Sequence, residues 1–111
     1  MKVLICGGRN FCDVERFEAF MADYVGSDIV IIQGGARGAD RMAKNWAAGH
    51  FMISETYEAD WNKYGRKAGY IRNQQMLDEG KPDLVIAFPG GRGTRMMIDL
   101  AEEAGVKVLR A

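Results

Sequence analysis

The sequence predicts an α/β fold: a single Rossmann-like, doubly wound sheet of five mainly parallel strands with helices on both faces. Short runs rich in Val, Ile and Leu alternate with segments of helix length along the 111 residues. The runs are continuously apolar, which is typical of parallel strands covered on both faces. A chain of this length can bury a core without a metal or disulfide, so we expect one domain over residues 1–111. Strand order does not follow from these patterns.

The first half of the chain predicts two strands, each followed by a helix. Lys2–Cys6 is the first strand, and Asp13 is a good N-cap for the helix that ends at Gly26. Asp28–Gln33 is the second strand, and we expect its helix over about Ala39–Gly49. Both strands lead directly into a pair of glycines.

The second half predicts three more strands and two helices. Met52–Tyr57 alternates imperfectly between apolar and polar residues, which is typical of a partly exposed edge strand. Asp83–Phe88 and Val106–Leu109 complete the sheet. Helices are expected over about Tyr70–Glu79, which a glycine and a proline close, and from near Arg95 onward.

Three glycine loops, each with an arginine, follow the first, second and fourth strands. The carboxyl ends of parallel strands meet at one edge of the sheet, where such folds bind ligands. Glycine lets a ligand approach the backbone, helix N-termini attract anions, and guanidinium groups match phosphate oxygens. The loops therefore predict a phosphate-bearing ligand, although any one of them alone is equally well a tight turn. The predicted ligand residues in the loops are Gly7, Gly8, Arg9, Gly34, Gly35, Ala36, Arg37, Gly38, Asp40, Pro89, Gly90, Gly91, Arg92, Gly93 and Thr94.

Trp61 lies in a segment rich in aromatic and basic residues after the third predicted strand. Its ring offers a flat face on which a nucleobase can stack. Asp40 and Asp60 fit the ribose hydroxyls of a nucleotide, but short carboxylates also cap helices and turns, which explains both aspartates equally well. Together with the glycine loops, these residues predict a nucleotide site.

The composition argues against several other functions. Fifteen basic and fifteen acidic residues cancel, so net charge favours neither nucleic acid nor an anionic membrane as a partner. The first apolar run is too short for a signal peptide or a membrane span, and we expect a cytoplasmic protein. Cys6, Cys12 and the lone His50 form neither a disulfide framework nor a metal site, and no metal or cofactor is predicted. No nucleophile–base pair or Gly-Lys-Ser/Thr loop indicates acyl or phosphoryl transfer.

The chain resembles the SLOG superfamily, and most closely its small stand-alone YspA-like branch. The resemblance rests on the string Gly34 to Asp40, on Ala59-Asp60-Trp61, and on Ile71-Arg72-Asn73 with Met76. Pro89-Gly90-Gly91-x-Gly93-Thr94 matches a signature that the wider superfamily shares. The resemblance implies a Rossmann-like fold and a nucleotide pocket to which Arg72 and Asn73 contribute. It also implies a homo-oligomer, as in the related LOG proteins.

One departure from the LOG pattern bears on catalysis. LOG phosphoribohydrolases release a base from a nucleoside 5′-monophosphate and carry Pro-Gly-Gly-x-Gly-Thr-x-x-Glu, whose glutamate is catalytic. Met97 stands at the glutamate position here, and a thioether cannot donate a proton. Whether the chain is an enzyme therefore stays open.

Three functional hypotheses follow. The first is a sensor or binding protein for a nucleotide or nucleotide-derived small molecule. The second is a divergent LOG-like N-glycosidase with Asp40 or Asp60 as its catalytic candidate. The third is single-stranded nucleic-acid binding through Trp61, Tyr64 and Tyr70, which alternate with basic residues.

Overall fold

A computed structural model describes all 111 residues and contains one five-stranded, all-parallel sheet with the strand order β3-β2-β1-β4-β5. The order runs outward in both directions from β1, as in a doubly wound fold. The predicted fold class is therefore confirmed, and the strand order is new. The strands are β1 (Lys2–Cys6), β2 (Val30–Gln33), β3 (Ile53–Thr56), β4 (Leu84–Ala87) and β5 (Lys107–Arg110).

Five α-helices surround the sheet, and short 3₁₀ turns at 22–24 and 65–67 follow the first and third of them. The longest helix has 12 residues. None of the helices combines the length and the apolar character needed to cross a bilayer. The helices are α1 (Val14–Met21), α2 (Ala39–Gly49), α3 (Trp61–Tyr64), α4 (Ala68–Asp78) and α5 (Arg92–Glu103).

The core has two halves, one on each face of the sheet. Side chains alternate along β1, so Val3 and Ile5 lie in the half that contains residues of α1 and α2. Leu4 and Cys6 lie in the other half, with residues of α4 and α5. The strand is buried on both faces, which explains its continuous apolar run.

Several predicted boundaries agree with the structure. Asp13 caps α1, because its Oδ1 accepts a hydrogen bond from the Arg16 N–H at 3.0 Å. Helix α2 has the predicted bounds, and β3 is an edge strand, as its imperfect alternation indicates.

Other boundaries differ for local reasons. Helix α5 begins at Arg92 rather than near Arg95, because Gly91 is its N-cap. The last three residues of the predicted Pro89–Thr94 loop are therefore the first turn of the helix. Helix α4 begins at Ala68 instead of Tyr70.

Candidate functional site

Gly8 joins the three glycine loops at the carboxyl edge of the sheet. Strand β1 lies between β2 and β4, so the loop after β1 touches both of the others. The Gly8 N–H donates to the Pro89 carbonyl at 2.9 Å, and the Gly8 carbonyl accepts from the Ala39 N–H at 3.2 Å. Gly8 thus joins the three loops through hydrogen bonds to Pro89 on one side and to Ala39 on the other.

Three glycines are required by the close approach of these loops, and one of them is Gly7, on which a Cβ would lie 2.6 Å from the Cβ of Ala39. A Cβ on Gly38 would overlap the carbonyl oxygen of Gly8, and Gly38 has a φ of +83°. A Cβ on Gly90 would overlap the Thr94 hydroxyl and the Gly8 nitrogen. Packing alone explains why these positions lack a side chain.

Gly91 and Gly93 are different. A Cβ at either position would have no atom within 4 Å, and neither residue has a positive φ. Packing therefore does not require glycine at either position. Both residues border an open cleft, so their missing side chains leave the N-terminus of α5 accessible.

This cleft, the main cleft, has a volume of about 430 Å³ and lies between the β1 loop, α4 and the N-terminus of α5. Its volume is within the range of small-molecule sites, about 300–1,000 Å³. Most of the predicted ligand residues meet here. Those that line it are Gly7, Gly8, Arg9, Ala36, Asp40, Trp61, Arg72, Asn73, Gly91, Arg92, Gly93 and Thr94.

A second cavity, the side cleft, has a volume of about 470 Å³ and lies beside the loop after β2. It shares Arg9, Ala36, Trp61 and Arg72 with the main cleft. The other predicted ligand residues that line the side cleft are Gly34, Gly35 and Arg37.

Four predicted residues line neither cleft. Pro89 and Gly90 instead border a depression of about 780 Å³ on the other side of the α5 N-terminus. Gly38 is packed against the β1 loop. Asp60 caps α3, because its Oδ1 accepts from the Lys63 N–H at 3.0 Å.

The N-terminus of α5 presents main-chain donors that no protein group occupies. The N–H groups from Gly91 to Thr94 have no acceptor within the protein; the next one along, that of Arg95, donates to the Gly91 carbonyl at 3.1 Å. Thr94 is only 8% exposed, lines the main cleft and makes no side-chain hydrogen bond. These donors suit an anion, which the positive end of the helix dipole also favours.

The N-terminus of α2, in contrast, is partly occupied by the protein itself, because the N–H groups of Ala39 and Arg41 have protein acceptors whereas those of Gly38 and Asp40 have none. The Asp40 carboxylate accepts from the Ala36 N–H at 3.2 Å, and Gly8 accepts from Ala39. The Gly35 N–H donates to the Gln33 side chain at 2.6 Å. The second glycine loop is therefore held by internal acceptors, and α5 provides the more open anion site.

Arg72 on α4 connects the second and third loops. Its Nη1 donates to the Gly34 carbonyl at 2.6 Å, and its Nε donates to Asn73 Oδ1 at 3.0 Å. Asn73 in turn donates to the Gly93 carbonyl at 3.4 Å. Burial lowers the pKa of Arg72, and the nearby Asp40 carboxylate opposes that shift. The hydrogen bonds to Gly34 and Asn73 thus fix the guanidinium group of Arg72 between the two clefts.

Asp40 is the only carboxylate that lines the main cleft. Burial raises its pKa, while the positive charge of Arg72 acts in the opposite direction. Cys6 lies on the same cleft, and burial, with a smaller effect of Asp40, raises the pKa of its thiol to about 12. The thiol is therefore protonated at neutral pH. Met97 is buried and also lines the cleft, so the position of the LOG glutamate carries no acid.

Trp61 stands at the border of the two clefts. Its ring is half-exposed, and the guanidinium carbon of Arg9 lies 5.3 Å from the ring centroid. Trp61 is the first residue of the unpredicted one-turn helix α3, which brings it against Gly69 of α4.

Sequence reasoning missed several cleft residues, three of them on α4 and two on α5. The signal was present, because residues 69, 72, 73 and 76 have the spacing of one helix face, and all four line the main cleft. The side cleft also contains an unpredicted carboxylate, Glu58. The missed residues of the main cleft are Arg66, Gly69, Tyr70, Met76, Met96 and Met97.

Comparison with known proteins identifies the family of this chain. The family model described as the YspA, cpYpsA-related SLOG family matches residues 1–64, which include β1 to β3 and the first two glycine loops. The Gene 61 protein of Mycobacterium phage D29 is 38% identical over 118 aligned positions, which cover 97% of this chain and 94% of the phage protein. The chain therefore belongs to the YspA, cpYpsA-related SLOG family.

Proposed function

We propose that this protein binds a nucleotide or a nucleotide-derived ligand, and that the N-terminus of α5 holds a phosphate group of that ligand in the main cleft. Family membership supports a nucleotide-related role. The observation that carries the proposal is the set of unoccupied N–H groups from Gly91 to Thr94, beside two glycines that packing does not require.

The charge of the main cleft favours an anionic ligand. Its arginines are Arg9, Arg66, Arg72 and Arg92, and Asp40 is its one carboxylate. None of the arginines forms an ion pair, since the one salt bridge of the chain joins Lys2 to Glu55, and neither of these residues lines the clefts. A phosphate would compensate this local excess even though the net charge is zero.

The apolar part of the cleft suits a base. Trp61 offers the exposed part of its ring, and the half-buried side chain of Met96 supplies flexible apolar surface. A nucleotide with its phosphate at α5 and its base toward Trp61 would use both kinds of surface.

The arrangement favours binding over cleavage of the glycosidic bond. Asp40 is the remaining candidate acid of the main cleft. Burial raises its pKa, but the hydrogen bond from the Ala36 N–H and the nearby charge of Arg72 both favour the ionised carboxylate. We expect no free base when nucleoside 5′-monophosphates are incubated with the protein and analysed by chromatography. Base release that disappears in Asp40→Asn would instead support the N-glycosidase hypothesis.

Calorimetric titration tests the binding proposal. The probes are the four common nucleoside 5′-monophosphates and the four matching nucleosides, which lack the phosphate. We expect at least one monophosphate to bind, and its nucleoside to bind at least tenfold more weakly, which is about 1.4 kcal/mol. No binding of any monophosphate to the folded protein, or equal affinity for nucleoside and nucleotide, would contradict the proposal.

Single-stranded nucleic acid is a second candidate ligand, favoured by three exposed aromatic residues on α3 and α4: Trp61, Tyr64 and Tyr70. The ammonium group of Lys63 lies 5.0 Å from the Tyr64 ring centroid. Salt-dependent retardation of a labelled oligonucleotide that is lost in Trp61→Ala would support this function. Phe51→Ala is the matched control, because Phe51 is a fully exposed aromatic residue outside both clefts.

A further inference from the structure

We propose that the ligand carries two separate phosphate groups, one at the N-terminus of α5 and one among the arginines of the side cleft. This inference rests on the proposed function and specifies the class of nucleotide. The class contains nucleoside bisphosphates and 5′-phosphorylated dinucleotides, in which a sugar separates two phosphates.

The two clefts form adjoining compartments. They share Arg9, Ala36, Trp61 and Arg72, so a ligand that extends past these residues would contact both. Each compartment, at about 430 and 470 Å³, is itself large enough for part of a nucleotide. A mononucleotide that fills the main cleft would leave the side cleft to water.

The side cleft adds one arginine, Arg37, to the two arginines that it shares with the main cleft. Arg9, Arg37 and Arg72 line it together with one carboxylate, Glu58, and none of the four forms an ion pair. Arg37 makes one side-chain hydrogen bond, to Asn10 Oδ1 at 3.3 Å, and Nη2 of Arg72 makes none. These free guanidinium donors suit a second phosphate, which they can contact with two parallel hydrogen bonds.

The spacing of the two loops favours phosphates that are not directly joined. The loop of the side cleft follows β2 and α5 follows β4, and β1 separates these strands. Neighbouring strands are about 4.8 Å apart, so the strands that carry the two loops are about 10 Å apart. The directly joined phosphates of a nucleoside diphosphate span far less than this distance, whereas phosphates on opposite sides of a sugar span more of it, and the long arginine side chains of the two clefts can reach across the remainder.

Titrations with four adenosine and four guanosine probes test the inference. For each base the probes are the 5′-monophosphate, the 5′-diphosphate, the 3′,5′-bisphosphate and the 5′-phosphorylated dinucleotide. We expect the bisphosphate or the dinucleotide of one base to bind at least tenfold more tightly than its monophosphate and diphosphate. Which of the two binds more tightly distinguishes a small bisphosphate from a dinucleotide.

Arg37→Gln assigns the second phosphate to the side cleft, because Arg37 lines that cleft and not the main one. We expect the variant to lose the tenfold advantage while its affinity for the monophosphate changes less than twofold. Arg16→Gln, on the exposed surface of α1, removes the same charge outside both clefts and should change neither affinity.

Four results would overturn the inference. Equal affinities for the monophosphate, the 3′,5′-bisphosphate and the 5′-phosphorylated dinucleotide would show that one phosphate suffices, and the proposed function would stand. Equal weakening of all probes in Arg37→Gln, or a diphosphate that binds as tightly as the bisphosphate, would also leave only the proposed function. If no probe binds to the folded protein, the proposed function and the inference both fail.

Discussion

Gly38→Ala tests the central packing feature of the site, the contact of the second glycine loop with Gly8. Gly38 precedes α2 and has a φ of +83° and a ψ of −131°, which side chains rarely allow. An added Cβ would also overlap the Gly8 carbonyl, which accepts the hydrogen bond from Ala39. The substitution therefore combines backbone strain with a steric clash.

Both effects contribute to the expected loss of stability. The positive φ costs about 1–2 kcal/mol for a residue with a side chain. Overpacking against a backbone that cannot move freely costs about 1–3 kcal/mol more. The free energy of unfolding should therefore fall by about 2–5 kcal/mol. This loss is a large fraction of the total stability of a small domain, which is typically about 5–15 kcal/mol.

Urea denaturation measures this loss. With an m value of about 2 kcal/mol/M, the midpoint should fall by roughly 1–2.5 M. Gly49→Ala is the matched control, because Gly49 is the last residue of α2 and its Cβ would meet no atom within 4 Å. We expect that control to be as stable as the wild type or more stable, by up to about 1 kcal/mol. A Gly38→Ala variant within about 0.5 kcal/mol of the wild type would refute the argument, since such a change is typical of an unconstrained surface position.

Three further predictions concern the charge, the thiols and the tryptophans. Burial raises the pKa of Asp40, so the folded state binds the proton of this carboxyl more tightly than the unfolded state does. The protonated carboxyl therefore stabilises the fold fully below the ordinary pKa of 3.8, and this contribution is lost as pH rises through the raised pKa. Asp40→Asn should therefore be more stable than the wild type in urea at pH 7, and a gain that does not shrink toward pH 3.5 would argue against this cause. One thiol, the exposed Cys12, should react quickly with a disulfide reagent at pH 8, whereas Cys6 should react only after unfolding; two fast thiols in the native protein would contradict the burial of Cys6. In a Trp46→Phe background, a bound nucleotide should change the fluorescence of Trp61, and an unchanged spectrum at saturation would exclude a base beside that ring.

The fold was predictable because its main signals are local. The continuous apolar runs of β1 and β4 reflect burial on both faces, and the Asp13 cap reflects a bond to a residue three positions away. Strand order was not predictable, since it depends on which face each helix covers. Helix α3 has four residues, too few for a periodic pattern to reveal it.

The site was predictable in position but not in detail. The three loops could be located from their glycines, but only the structure shows that the Asp40 carboxylate occupies the loop before α2. Whether Phe11, Phe51 and Met52 are core or interface residues was equally open in the sequence. The structure packs Phe11 and Met52 against the core and leaves Phe51 98% exposed, with a φ of +56°. The predicted homo-oligomer stays a prediction, with Phe51 as its most exposed candidate contact.

Gly93→Ala tests the central claim that the N-terminus of α5 binds the phosphate. A Cβ in a helix points toward the N-terminus, so this methyl group would enter the space in front of the free N–H groups without a clash inside the protein. Loss of one charge-assisted hydrogen bond, about 1.5–3 kcal/mol, predicts at least a tenfold weaker calorimetric affinity for the best nucleoside 5′-monophosphate. The urea midpoint should stay the same or rise, and Gly49→Ala should bind like the wild type. Unchanged nucleotide affinity in Gly93→Ala would contradict a phosphate site at α5.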